Sequence, residues 1–351
     1  MSQEHALPIA VGIDVAKATL SVHARYQDGT GTALSIGNTK TDITRCLARQ
    51  LAGYKGKVVM ESTGHYHWLA ALLLTEAGAD VRVINPILGK KYTSASIRKV
   101  KTDPIDAKLL AEMCLKEEHL PPTFCQNAEA MRRRKKLGFI ASLRTNLSSL
   151  KAMETSLREA HAIIGGALSA AEDQVLATVH ELEKDIRRLE REFAKEARSV
   201  EGADRKFEIL TSIPGVSPFM AATGLHWFSL DAGATPKSWT AYAGLDVSVR
   251  ESGTWHGRCR LTKRGNNYLR RRLYSSAWGA VMHDPDFKKA YDSLRKKDGR
   301  AHVEALVILA RKIVRIMFQV LSTDTVYDPL KAFPEPPDRQ AASSFTKLSI
   351  A

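Results

Sequence analysis

The stretch Pro8 to Val22, PIAVGIDVAKATLSV, decides the fold. Ile9 to Ile13 is an apolar run that ends on Asp14. Beyond it Lys17, Thr19 and Ser21 alternate with Ala18, Leu20 and Val22. Runs rich in Ile and Val with period-two alternation form strands. The stretch therefore predicts a β-hairpin with one carboxylate at its bend. Burying an unpaired charge is costly, so Asp14 is either a solvated turn residue or a metal ligand completed from elsewhere in the chain.

Outward from the hairpin, residues 1–126 read as α/β. Ile43 to Leu51 looks helical, and Lys57 to Met60 is a short strand that delivers Glu61 at its end. After Ser62-Thr63-Gly64, the spacing of Trp68, Leu69, Leu72 and Leu73 predicts a helix over 67–77, and Asp80 to Ile84 is a further strand. Alternating strands and helices argue for a mostly parallel or mixed sheet covered by helices. In KVKTDPIDAKLLAEM, residues 99–113, Asp103 is a good N-cap and Pro104 suits the first helical position. Asp106 follows at the spacing that puts both carboxylates on one side of the helix start. Capping and dipole compensation explain one of them; two, bracketed by Lys99, Lys101 and Lys108, also fit a functional pair. Asp14, Glu61, Asp103 and Asp106 together would suit hard divalent cations, two of which support phosphodiester chemistry. The order Asp, Glu, Asp, Asp on these elements resembles the RNase-H-like fold of the RuvC resolvases.

The 351 residues suffice for two or three domains, and 44% hydrophobic with 26% charged residues is ordinary for a globular protein. No apolar run reaches the ~20 residues of a membrane span, and no secretory signal is visible. Cys46, Cys114, Cys125 and Cys259 are far apart with no CxxC pair, which favours reduced thiols in a cytoplasm. The charge is the informative quantity: 52 Lys and Arg against 38 Asp and Glu, a net of +14. Such an excess favours a nucleic-acid partner through counterion release, and no stretch has the basic amphipathic pattern of a membrane-surface helix.

Residues 127–200 open on the block Arg132, Arg133, Arg134, Lys135 and Lys136, either a solvated helix start or a backbone contact to nucleic acid. Ile140, Leu143, Leu147, Leu150 and Leu157, then Val179, Leu182, Ile186, Leu189 and Phe193 beyond Gly165-Gly166, keep heptad spacing. They predict two long helices in a coiled coil, paired within the chain or between chains, with Glu154 interrupting the seam. In residues 201–326, which read as mainly helical, Ile213-Pro214-Gly215-Val216 is either a plain interhelical turn or a hairpin whose N–H groups take a phosphate. Residues 239–274 are dense in glycine and in Arg250, Arg258, Arg260, Lys263, Arg264, Arg270, Arg271 and Arg272. There Ser252, between Glu251 and Gly253, is either a turn serine or an exposed nucleophile. Residues 327–351 are Pro-, Ser- and Ala-rich, and a flexible or peripheral tail is expected.

The two halves together resemble the insertion-sequence transposases of the IS110 class: RuvC-like acidic residues, a coiled coil, then Ile213-Pro214-Gly215-Val216, Ser252-Gly253, Gly257, Lys263-Arg264-Gly265-Asn266 and Leu269-Arg270. Asp246 and Thr262 depart from the usual pattern. The resemblance implies a site-specific DNA recombinase that excises and inserts its own element. It implies Asp14, Glu61, Asp103 and Asp106 holding Mg2+ (or Mn2+), and Ser252 forming a covalent phosphoserine link. It further implies guidance by a structured non-coding bridge RNA pairing with target and donor DNA, and action as a homo-oligomer, a dimer or tetramer, at the bacterial nucleoid. Arg132 to Lys136 and Arg258, Arg260, Lys263, Arg264, Arg270 and Arg271 would then meet nucleic acid. The alternative is a junction-resolvase-like metal-dependent nuclease without serine catalysis.

Overall fold

The computed structural model describes residues 7–52, 54, 56–86, 88–89, 103–117, 120–121, 123–124, 127–228, 230, 233–248, 251–252, 255–256 and 260–334. The chain forms two compact units, residues 1–132 and 133–351.

In the first unit, β1 (Ala10–Val15), β2 (Thr19–Arg25), β3 (Gly31–Gly37), β4 (Lys57–Glu61) and β5 (Asp80–Ile84) make a sheet of order β3-β2-β1-β4-β5. β2 is antiparallel to β1 and β3, while β1, β4 and β5 are parallel. The expected hairpin forms, but Asp14 pairs with Ser21 inside it and Val15 with Leu20. Asp14 is therefore a strand residue, and the bend falls on residues 16–18.

Strand alternation sends neighbouring residues to opposite faces. Val11, Ile13, Val15, Val58 and Met60 pack with Ile43 of α1 (Lys40–Ile43), which runs into a π-helical turn at Thr44–Ala48, and with Ala70, Ala71 and Leu74 of α2 (Trp68–Glu76). Ala10, Val59 and Ile84 face the other way and meet Leu110, Met113 and Cys114 of α3 (Asp103–Lys116). Gly12 lies on that second face. A Cβ there would fall 2.1 Å from the Ala107 carbonyl and 2.4 Å from the Ala111 nitrogen. The missing side chain lets the helix backbone rest on the strand. The Cys114 thiol donates to the Lys57 carbonyl at 3.2 Å, and Lys57 stands opposite Ala10 in register. α3 thus runs back along β1, and its first turn points toward the carboxyl ends of β1 and β4.

In the second unit, α4 (Ala128–Ile164) and α5 (Ala170–Arg198) pair antiparallel within one chain. Lys136 meets Glu196 at 2.5 Å, Arg144 meets Glu190 at 2.6 Å and Lys151 meets Glu183 at 2.5 Å, so residue numbers rise along one helix as they fall along the other. The break falls at Gly165 and Gly166, whose φ angles of +82° and +118° suit glycine. Glu154 in the seam is answered by Arg158 at 3.0 Å and His180 at 3.4 Å. Leu137, Ile140, Leu147, Val179, Ile186 and Phe193 continue into one core with the helices that follow. These are α6 (Ala203–Thr211), α7 (Pro218–Trp227), α8 (Pro236–Tyr242), α9 (Asn267–His283), α10 (Pro285–Lys296) and α11 (His302–Thr323).

The Pro-Gly turn is a packing device. Gly215 has φ +76°, and a Cβ there would lie 2.1 Å from the Ser276 carbonyl of α9. The Ser217 hydroxyl already takes the Met220 N–H at 3.2 Å, as an N-cap does. The start of the expected tail is ordered: Pro329–Ala332 forms α12, and the Phe333 ring meets Phe287 edge-on at 5.0 Å. Residues 335–351 lie outside the described residues. No helix among the described residues is long and apolar enough to cross a membrane.

Candidate functional site

An acidic corner forms in the first unit. The parallel register ends on Ile13 opposite Met60, so Asp14 and Glu61 follow side by side at the carboxyl ends of adjacent strands. Both fall two residues beyond positions on the α3 face, Gly12 and Val59, and alternation places them on that same face. Both are half-buried. The backbone of Gly89 flanks Glu61: a Cβ on that glycine would lie 3.2 Å from the carboxylate. α3 opens on Asp103, and Asp106 is half-buried within its first turn. The side chain of Asp103 lies outside the described residues, as do Lys99 and Lys101. Among the described residues no three His, Cys, Asp or Glu side chains come close enough to hold a metal ion. Asp14 and Glu61 stand on adjacent strand ends, and carboxylate oxygens are the donors that a hard divalent cation takes.

Sequence reasoning missed His23. It stands opposite Gly12 in the sheet and is buried at 9% exposure. Burial, with Lys108 and Arg25 nearby, lowers its pKa and favours the neutral ring. A buried histidine on a strand of alternating pattern carries no local signal that would have singled it out.

The serine-bearing segment is a two-tier hairpin in the second unit. β6 (Val247–Ser248) pairs with β9 (Arg260–Leu261), and beyond them β7 (Glu251–Ser252) pairs with β8 (Trp255–His256). Ser252 stands opposite Trp255, next to the two-residue connection of the outer tier. The side chains of Ser252 and Arg260, and all of Arg250, Gly253, Gly257 and Arg258, lie outside the described residues. At the hairpin base the Thr262 N–H donates to the Asp246 carbonyl at 3.0 Å, and the Thr262 hydroxyl bonds the Asp246 carboxylate. The two departures noted in the sequence are thus each other's partner. Below them Lys263 adopts φ +53° and the Asn266 N–H donates to the Tyr242 carbonyl at 2.7 Å. Gly265 meets the Tyr242 carbonyl and the Gly244 nitrogen so closely that a Cβ would fall 2.2 Å from each.

The basic block is divided by its helix. Arg132 and Lys135 are exposed; Arg133 and Arg134 are half-buried. The Arg134 guanidinium lies 5.3 Å from the Trp227 ring centre, and Lys136 is held by Glu196. His226 is half-buried, and its desolvation, reinforced by Arg133 and Arg134, lowers its pKa to about 4. On α9, Arg270 donates to Asn267 and Arg271 to Thr145, each at 3.0 Å. Lys263 and Arg264 are exposed.

Two family models match the chain. A DEDD transposase model of the IS110 type covers residues 11–152, and the transposase model of the IS116/IS110/IS902 family covers residues 207–292. The chain is 26% identical over 349 residues to a probable family 20 transposase of Pseudomonas aeruginosa, spanning 91% of this chain and 98% of that one. It is 29% identical over 177 residues to the 42 kDa protein of insertion element IS900 of Mycobacterium paratuberculosis, covering 48% of this chain and 42% of that protein. To the 43.6 kDa protein of insertion element IS110 of Streptomyces coelicolor it is 34% identical over 123 residues, covering 34% and 30%. The matched stretches therefore span less than half the length of these last two relatives.

Proposed function

Since the chain belongs to the IS116/IS110/IS902 family of transposases, we propose that it is a site-specific DNA recombinase that excises and inserts a mobile element. The observation that carries this reading is the placement of Asp14 and Glu61 side by side at the carboxyl ends of adjacent parallel strands, with the acidic first turn of α3 on the same face. This arrangement on a mixed five-stranded sheet supports an RNase-H-like assignment for the first unit. Asp14, Glu61, Asp103 and Asp106 would hold Mg2+ or Mn2+. A bound divalent ion would supply charge against the scissile phosphate and lower the cost of ionising an attacking hydroxyl.

The hydroxyl in this reading is that of Ser252. Its oxygen attacks phosphorus, a phosphoserine ester forms, and the displaced deoxyribose oxygen leaves as a hydroxyl. The phosphodiester bond energy is kept in the ester, so rejoining needs no external nucleotide. Ser252 ends β7 opposite Trp255, and the Asp246–Thr262 pair supports the base of the hairpin that carries it. The net charge of +14 supports a polyanionic partner. Target and donor DNA would be chosen by pairing with a structured bridge RNA rather than by side chains. Carboxylates and serine belong to different units of the chain, and a site shared between subunits of a dimer or tetramer accommodates that.

The test is a covalent adduct. Protein incubated with labelled donor DNA and Mg2+, then run on a denaturing gel, should show a slow band that maps by mass spectrometry to Ser252 and vanishes in Ser252→Ala. Full strand cleavage by Ser252→Ala would replace this reading with the metal-dependent nuclease.

A further inference from the structure

Between α4 and α9 the second unit holds a cleft of about 530 Å³. Arg144 and Lys151 enter it from α4, Arg270, Arg271 and Arg272 from α9, and Tyr268 and Tyr274 line it between them. Its cations outnumber their acidic partners. Arg144 and Arg272 share Glu190, at 2.6 and 3.4 Å, and Lys151 takes Glu183. Arg270 and Arg271 have only the neutral oxygens of Asn267 and Thr145 as hydrogen-bond acceptors among the described residues. The Tyr268 hydroxyl, one Arg270 nitrogen and the Arg272 Nε are buried without a hydrogen-bond partner among the described residues. The uncompensated charge that faces the cleft is therefore that of the exposed Arg271 and the half-buried Arg270. Leu261, which ends β9 at the base of the serine hairpin, lines the same cleft.

We propose that this cleft binds one unpaired nucleotide of a single-stranded nucleic acid, phosphodiester against Arg270 and Arg271 and base against Tyr274. The proposal rests on the recombinase reading for its choice of polyanion. The shape selects a single strand: a concave site of this volume is of small-ligand size, and a duplex cannot enter it. A cationic groove with aromatic faces is also the general means of holding single strands, because every base has a π-face. Arg271 is exposed and Tyr274 half-buried, so both are reachable. The site differs from the acidic corner in location, charge and chemistry.

The experiment is fluorescence anisotropy on the full chain in EDTA, which removes any contribution from divalent ions and separates this test from that of the adduct. The probes are a labelled dT decamer, a labelled rU decamer and a labelled blunt-ended DNA duplex. Tyr274→Ala should weaken binding of a decamer about tenfold, with Tyr274→Phe restoring it. Arg271→Glu, at an exposed position, should weaken it further and lower the salt slope by about 0.7 per lost phosphate contact. The duplex should bind the Tyr274 variants as it binds the wild-type chain. The decamer that responds identifies the strand as DNA or RNA. Unchanged decamer binding in both Tyr274→Ala and Arg271→Glu, or an equal loss for the duplex in Tyr274→Ala, would overturn the proposal. Adduct formation could survive that result, and loss of the adduct would leave decamer binding in EDTA intact.

Discussion

Replacing Gly12 by alanine should loosen the acidic corner without touching an acidic residue. The added Cβ would sit 2.1 Å from the Ala107 carbonyl and 2.4 Å from the Ala111 nitrogen, where real Cβ contacts stay beyond 3.0 Å. Both obstacles are helix backbone, so relief requires α3 to retreat by about 1 Å. A gap of that size forfeits about a quarter to a half of the contact energy across it. Leu110, Met113, Val59 and Ile84 carry this interface, and each is worth about 1.5–3 kcal/mol when buried. That product spans about 1.5–6 kcal/mol, and overpacking usually costs about 1–3 kcal/mol, so the expected loss is about 2–3 kcal/mol. Hydrogen exchange read by mass spectrometry over residues 103–116 should accelerate by about 30- to 150-fold. Affinity for Mn2+ should fall with it, because the first turn of α3 leaves its place. Exchange at the wild-type rate over 103–116 would refute the packing of α3 on Gly12 and the alignment of Asp103 and Asp106 with the strand ends.

Gly138 gives the opposite result: a Cβ there meets nothing within 4 Å, so Gly138→Ala within α4 should slow exchange in that helix by the equivalent of about 0.5–1 kcal/mol. Glu190 is 13% exposed and held by both Arg144 and Arg272; Glu190→Ala strands two guanidinium groups and should lower the urea midpoint far more than Glu181→Ala, whose side chain is 67% exposed. His226 titrates near 6.5 when unfolded and near 4 when folded, so its contribution is fully present above pH 6.5 and is lost as pH falls toward 4. At about 1.4 kcal/mol per pH unit the loss is at most about 3.5 kcal/mol, and urea midpoints of His226→Gln should fall less than wild type over that window. Arg132→Ala with Lys135→Ala should weaken duplex DNA binding and reduce the salt slope by up to about 0.9 per lost contact, with target choice unchanged; Arg134→Ala should instead lower stability, since Arg134 covers Trp227.

Much of the first unit is legible in the chain. β1, β2, β4 and β5 carry apolar runs or alternation because at least one of their faces is buried. β3 does not: of GTALSIG only Ile36 is buried, so the strand exists through its pairing with β2 and leaves no periodic trace. Gly12 reads as one more member of an apolar run, and its role emerges only when α3 is laid against it. The four acidic residues stand out by type, but strand alternation and register, not spacing, bring Asp14 and Glu61 together. The basic block reads as one patch, whereas helical geometry turns Arg134 onto Trp227 and leaves Arg132 and Lys135 outside. The Pro-Gly turn resembles a phosphate hairpin in sequence; its contact with α9 depends on a helix some sixty residues downstream.

Binding of Mn2+ by electron paramagnetic resonance tests the acidic corner most directly, because it needs neither DNA nor RNA. The wild-type chain should bind the ion in competition with Mg2+, and Asp14→Asn, Glu61→Gln and Asp106→Asn should each weaken it by at least about tenfold. Equal Mn2+ binding by the wild type and all three variants would contradict a divalent site at the ends of β1 and β4.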